Sequence, residues 1–233
     1  MNQSENPATA LRPKGNSYVV LLSGGLDSSV LAYSLSSLGI KLKALTLDYG
    51  QRHITEQAAA QKIAAFLGIE HRVVSLREVT PLFGDQCSLL NQDQAVPEGH
   101  YEHESMKSTV VPNRNMILLS LAAAWSIASG FDGIAYAAHE GDHAIYPDCR
   151  PAFANAMAQA ISLCDFSPQE LTRPFITLTK GDIVRIGSAL NVPFDVTWSC
   201  YNGRAQHCGT CGTCTERIEA FQLAGVTDPT AYE

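Results

Sequence analysis

Residues 18–76 alternate between two hydrophobic periods, and this constrains the fold more than any other feature of the chain. "YVVLL" (18–22) is a continuous apolar, β-branched run, as a strand buried on both faces requires. "DSSVLAYSLSSLG" follows with helical spacing and stops at Gly39. "LKALTLDYG" (42–50) reads as a second strand ending in Asp48. "ITEQAAAQKIAAFLG" (54–68) reads as a helix closed by Gly68, and "EHRVVSL" (70–76) as a third strand. Strands separated by helices of this length predict βαβ units, right-handed crossovers and a doubly wound parallel sheet, hence an α/β fold.

The rhythm breaks over residues 77–115, which carry Gly84, Pro97, Gly99 and Pro112. A patternless stretch this long inside a domain reads as an active-site loop or lid. Helical patterns return at 116–129, 151–164, 179–190 and around 214–223, with a strand at 133–138. Thr179 and Asp182 are spaced to cap the helix at 179–190. The expected organisation is a loose tail at 1–17, a main domain at 18–195 and a small cysteine-bearing segment at 196–233. Hydrophobic residues make up 45 % of the 233 and charged residues 17 %, a globular balance. The longest apolar stretch, starting at Met116, falls short of the roughly 20 residues that cross a bilayer. The polar first residues lack a secretion signal. A cytoplasmic protein with reduced thiols is expected, without a membrane partner. A net charge of −7 offers no basic footprint for nucleic acid.

The first strand runs directly into "LSGGLDSS" (22–29). In an open parallel sheet, ligands gather at the carboxyl ends of strands. Gly24 and Gly25 stand there, followed by a helix whose first N–H groups and positive dipole end face the turn. Ser23, Ser28 and Ser29 add hydroxyls. This arrangement suits a phosphate or pyrophosphate. Asp27 would repel a bare phosphate, so its natural role is to hold Mg²⁺ against one.

Cys200, Cys208, Cys211 and Cys214 form C-x7-C-x2-C-x2-C. Four thiolates so spaced suit a closed tetrahedral site, and the spacing reads as Zn²⁺. An iron–sulfur cluster is the alternative that spacing leaves open. Cys87, Cys149 and Cys164 are expected to stay unmetallated. In "AAHEGDHAIYPD", His139, Asp142 and His143 lie in a loop, so no helix face aligns the imidazoles. They are assigned to the mouth of the active site rather than to a metal.

S-G-G-x-D-S is neither a Walker A loop nor a dinucleotide turn. It resembles the PP-loop of the ATP pyrophosphatases. "DYGQRH" (48–53), "VPNRN" (111–115), "YPDCR" (146–150) and "CYNG" (200–203), running into the cysteine triplet, narrow the likeness. Together, from about residue 18 to 215, they resemble the QueC family of 7-cyano-7-deazaguanine synthases. The resemblance implies an adenine nucleotide α-hydrolase-like (HUP) fold with a C-terminal four-Cys zinc-binding appendage. It further implies a homodimer that uses ATP, Mg²⁺ and ammonia to turn 7-carboxy-7-deazaguanine into the nitrile through an amide.

Site residues follow from the matching motifs. Leu22, Ser23, Gly24, Gly25, Leu26, Asp27, Ser28 and Ser29 would hold the nucleotide phosphates, with Asp48 and Tyr49 near ribose or adenine. Asn113, Arg114, Asn115, Tyr146, Asp148 and Arg150 would bind substrate, Asp148 taking the guanine-like N1–H and amine. Asp27, Arg114 and Lys180 are the expected catalytic groups, Lys180 balancing phosphate charge. Four rival readings share much of this pattern. They are an enzyme that stops at the amide, one that transfers the deazaguanine acyl group to a protein amine, a PP-loop tRNA sulfurtransferase, and a non-catalytic nucleotide-binding module.

Overall fold

The computed structural model describes residues 6–52 and 55–233. His53, at the end of the "DYGQRH" motif, and Ile54, at the start of the expected second helix, lie outside them. Strands β1 (Ser17–Leu21), β2 (Lys41–Asp48), β3 (Glu70–Ser75), β4 (Gly133–Ala135) and β5 (Glu170–Thr172) form one sheet in the order β3-β2-β1-β4-β5. Every pairing is parallel. The helices are α1 (Leu26–Ser37), α2 (Thr55–Leu67), α3 (Arg114–Ala128), α4 (Pro151–Ser162), α5 (Lys180–Ala189) and α6 (Gly212–Ala224).

Alternation along β1 sorts the two faces of the sheet. Tyr18 and Val20 enter a core shared with Leu31 of α1, Ile183 of α5 and Phe221 of α6. Val19 enters the opposite core with Leu119 of α3 and Met157 of α4. A strand packed on both faces has no polar side, which is why its sequence reads as an unbroken apolar run. The strand order reverses between β1 and β4, and the crevice at such a switch point is where open α/β sheets bind ligands.

The helices begin and end for local reasons. Gly25 is the N-cap of α1, and Gly39 follows its end at φ +75°. The expected Thr179–Asp182 capping box is present at α5: Thr179 Oγ1 accepts from Asp182 N at 3.2 Å, and Asp182 Oδ2 accepts from Thr179 N at 3.1 Å.

The sequence pattern differs from the structure in three places. The strand expected over 133–138 pairs only over Gly133–Ala135, and β5 had no sequence signal. Three residues are too few to display a period. Residues 77–113 are irregular but not structureless. They hold 3₁₀ turns at Arg77–Phe83 and Glu104–Thr109. They also carry a small core in which Cys87, Leu89 and Val111 pack on Tyr49. The Arg52 guanidinium donates to the carbonyls of Asn91 and Gln94, tying the loop to the end of β2.

The C-terminal segment is continuous with the main body. Ala220 and Phe221 of α6 belong to the same core as α1 and α5. Arg217 is fully buried. Its guanidinium donates to Asp228 Oδ1 at 3.1 Å, Thr197 Oγ1 at 2.8 Å and the Phe194 carbonyl at 3.0 Å.

Candidate active site

A cavity of about 260 Å³ opens at the switch point. Leu22, Ser23, Gly25, Leu26, Asp27 and Ser28 form one wall, at the end of β1 and the start of α1. Tyr136 and Ala138, after β4, form the facing wall. Tyr49 closes the side toward β2, Tyr101 and Met106 come from the long loop, and Lys180 and Glu216 come from α5 and α6.

The serine–glycine turn is held by its own hydroxyls. Ser23 Oγ and Ser28 Oγ lie 3.1 Å apart, and Gly25 N donates to Ser23 Oγ at 3.1 Å. Gly24 and Ser29 do not line the cavity. Gly24 has φ +90°, and a Cβ there would lie 2.2 Å from the Glu56 carbonyl. Its bare backbone therefore admits helix α2 rather than a ligand. Ser29 Oγ donates to the Gly25 carbonyl at 2.7 Å, inside the first turn of α1.

Asp27, Lys180 and Glu216 form a chain of charge. Lys180 Nζ lies 3.2 Å from Asp27 Oδ2 and 2.6 Å from Glu216 Oε2. Burial opposes ionisation of Asp27, but Lys180 and His139 outweigh it and hold the carboxyl below its usual value. Burial likewise opposes the Lys180 charge, and Asp27 and Glu216 outweigh it, raising the amine above its usual value. Asp27 Oδ1 is buried with no hydrogen-bond partner among the described residues. An ionised, unsatisfied oxygen beside a phosphate-type turn fits a hard divalent cation.

Opposite stands Arg114, at the first position of α3. Its guanidinium lies 5.8 Å from the Tyr146 ring centre and hydrogen-bonds Tyr49. Tyr146 Oη is 2.7 Å from Thr109 Oγ1. Arg114 has no carboxylate ion-pair partner among the described residues, so its charge is left for a ligand. Asn115 also lines the cavity, its Nδ2 donating to Cys149 Sγ at 3.2 Å. Tyr136 Oη is buried with no partner among the described residues.

Asp48, Asn113, Asp148, Arg150 and His143 lie outside the lining. The Asp48 carboxylate is held by Arg77 Nε at 2.8 Å and Gly50 N at 3.0 Å. Asp148, expected to read a purine edge, accepts from Asn115 N at 3.0 Å and so caps α3. Asn113 is exposed at the α3 N-cap in the left-handed region, φ 58°. Arg150 Nε donates to the His143 carbonyl at 2.8 Å. His139 is buried rather than at the mouth.

Sequence reasoning missed Glu216 and Tyr136. The available signal for Glu216 was its neighbourhood, because Glu216 and Arg217 are two adjacent charges on a short helix that also buries Cys214, Ala220 and Phe221. Charges on a buried helix face require partners.

Below the cavity, the sulfurs of Cys200, Cys208, Cys211 and Cys214 lie within 4.8 Å of one another, all buried. Cys208 Sγ and Cys214 Sγ are 3.9 Å apart, far beyond a disulfide bond. Backbone N–H groups reach the sulfurs, Cys211 N donating to Cys208 Sγ at 3.3 Å. This donor set fits a tetrahedral thiophilic ion. Cys211 is also the N-cap of α6, which delivers Thr213 and Glu216 to the cavity.

The model of the family described as "Queuosine biosynthesis protein QueC" matches residues 17–225. The chain belongs to the QueC family. It is 52 % identical over 215 residues to the 7-cyano-7-deazaguanine synthase of Methanoregula boonei, covering 92 % of this chain and 98 % of that one. It is 47 % identical over 233 residues to the 7-cyano-7-deazaguanine synthase of Hahella chejuensis, covering 100 % and 98 %. Among solved structures, NMN synthetase from Francisella tularensis shares the fold, with a TM-score of 0.50 at 15 % identity over 92 % of this chain and 79 % of that one. The QueC match spans β1 to α6 and includes all four cysteines.

Proposed function

We propose that this cavity converts 7-carboxy-7-deazaguanine and ammonia to 7-cyano-7-deazaguanine at the expense of ATP. The observation that carries the reading is a pair of anion sites facing each other across one cavity. The phosphate-type turn with Asp27 and Lys180 stands on one side, and Arg114, which has no carboxylate partner among the described residues, on the other. One suits a triphosphate and the other a substrate carboxylate. The 7-cyano-7-deazaguanine synthases of Methanoregula boonei and Hahella chejuensis support the same chemistry.

In the first stage, a carboxylate oxygen attacks the α-phosphorus and pyrophosphate leaves. Ammonia then displaces AMP from the acyl carbon, giving the amide. In the second stage, the amide oxygen takes a second adenylyl group as pyrophosphate leaves, and loss of AMP and both N–H protons leaves the nitrile. Both stages turn a poor oxygen leaving group into a good one, so one geometry serves both. The turn at Ser23, Gly25 and Ser28 would cradle the phosphates, Lys180 would offset charge developing on them, and Tyr49 would face the nucleoside. Arg114 and Asn115 would fix the substrate, with Tyr146 bracing the guanidinium.

Mg²⁺, held by Asp27 Oδ1, would supply charge neutralisation at the phosphates. Zn²⁺, held by the four cysteines, would supply the fixed corner on which α6 starts. The reading makes the protein cytoplasmic and homodimeric. No helix among the described residues is long and apolar enough to cross a membrane.

Mass spectrometry of a reaction holding 7-carboxy-7-deazaguanine, ammonium, Mg²⁺ and ATP tests the reading. Nitrile with AMP and pyrophosphate is expected. Amide without nitrile at excess ATP would replace the synthase by an amide-forming ligase.

A further inference from the structure

Tyr136 follows β4 directly, and its N–H still donates to the Thr172 carbonyl at 3.2 Å, which fixes the backbone there. Side chains alternate between the two faces of the sheet. Ala135 enters the core shared with α1, and Tyr136 enters the opposite core with Leu45, Leu47 and Cys149. The residue is only 4 % exposed, yet it lines the cavity, on the wall facing the serine–glycine turn. Its hydroxyl is buried with no hydrogen-bond partner among the described residues. An unpaired buried hydroxyl costs stability that a phenylalanine would not. A tyrosine held at such a place points to a partner that arrives through the cavity.

The surroundings limit that partner. Leu21, Leu45, Leu47 and Leu118 line the cavity and pack in the same cluster as Tyr136. They make an apolar floor suited to the face of a flat ring. Asn115 supplies a second polar group. Its Nδ2 donates to the Asp148 carbonyl at 3.2 Å and to Cys149 Sγ at 3.2 Å, which uses both amide hydrogens. Oδ1 is the atom that Asn115 can then offer a ligand. Burial pushes the Tyr136 phenol above its usual value, so it stays a neutral O–H that can donate or accept. A flat ring whose edge carries a carbonyl beside an N–H matches a phenol and an amide oxygen set in an apolar floor.

We propose that Tyr136 Oη hydrogen-bonds the carbonyl and N–H edge of the deazaguanine ring, a specificity role that rests on the function proposed above. Asp148, expected to read that edge, is occupied at the start of α3. The deazaguanine is favoured over adenine by connectivity. Its ring is joined directly to the carboxylate assigned to Arg114, and Asn115 is the next residue in the chain. Adenine is tied through ribose to phosphates at the turn on the facing wall, with Tyr49 beside it.

Tyr136→Phe removes the hydroxyl and keeps the aromatic ring. Without ligand, the variant is expected to have a denaturant midpoint equal to or above that of wild type, because no hydrogen bond is lost. Calorimetry with 7-carboxy-7-deazaguanine should show binding weakened roughly fivefold or more, the worth of one neutral hydrogen bond. KM for the acid and KM for the preformed amide should rise by the same factor, since both stages hold the same ring. KM for ATP should stay within about twofold of wild type, as for an independent site. An unchanged affinity for the acid, a rise confined to ATP, or a lowered midpoint in the unliganded protein overturns the assignment. A wild-type protein that binds the acid but forms neither amide nor nitrile would fail the proposed function, while the affinity comparison would still decide the role of Tyr136.

Discussion

Gly24 and Gly25 are neighbours in one motif with different physical jobs. At Gly24 both the positive φ and the Glu56 carbonyl exclude a side chain. Gly24→Ala is expected to destabilise the fold by about 3 kcal/mol, read as a shifted denaturant midpoint. Gly25 has an ordinary φ of −72°, and a Cβ there would first meet Ser23 Oγ at 3.2 Å, on the cavity wall. Gly25→Ala should cost under ~1 kcal/mol of stability yet weaken ATP binding, as calorimetry would report. Equal effects at the two positions would contradict this division. Across the cavity, Arg114→Lys keeps the charge but loses the planar fork. It should raise KM for the carboxylic acid substrate by roughly 10- to 100-fold, the value of a charge-assisted pair. An unchanged KM would remove Arg114 from substrate binding.

At the scale of elements, α6 links the cysteine cluster to the chemistry. Its N-cap is a ligand candidate, its third residue is Cys214 and its fifth, Glu216, holds Lys180. Metal removal should therefore be felt at both ends. A strong chelator is expected to lower stability by about 3 kcal/mol or more, a drop in Tm of roughly 6–12 °C for a chain of this size. Catalysis should fall in parallel, and both should return with added Zn²⁺. Elemental analysis is expected to give zinc at one per chain. Iron with visible absorbance would overturn that assignment. The long loop depends on the same corner, because Glu98 pairs with Cys211 through a backbone bridge and Gly99 N donates to the Thr210 carbonyl at 3.0 Å.

Over the whole molecule, the buried Arg217 pairs with the part-buried Asp228 and helps pin the C-terminal residues to the body. Burial pushes the Asp228 carboxyl up, but Arg217 and Tyr232 outweigh it and hold it below its usual value. A depressed carboxyl contributes stability at neutral pH, and that contribution fades as pH falls through about 4 toward the folded value. Asp228→Asn should thus be less stable than wild type at pH 7, with the gap closing in acid. A gap independent of pH would show that Asp228 acts through packing alone. Arg217→Met is expected to cost about 3–5 kcal/mol at neutral pH, because it leaves Asp228 without its buried partner.

The amino-acid sequence determined what depends on near neighbours. Alternating periods set the β1–α1–β2–α2–β3 order, because a strand and a helix each need an apolar face with their own repeat. The glycine turn, the Thr179–Asp182 cap and the four-cysteine cluster were legible because their parts lie within a few residues of one another, or recur in a short count. Only the tertiary structure decided which charged groups share a site. Glu216 meets Lys180 across 36 residues, and Asp148 meets Asn115 across 33. Asp148 and Glu216 look alike in sequence. One caps a helix and the other neutralises the buried Lys180, because burial and pairing are settled by chain crossings that no local pattern encodes.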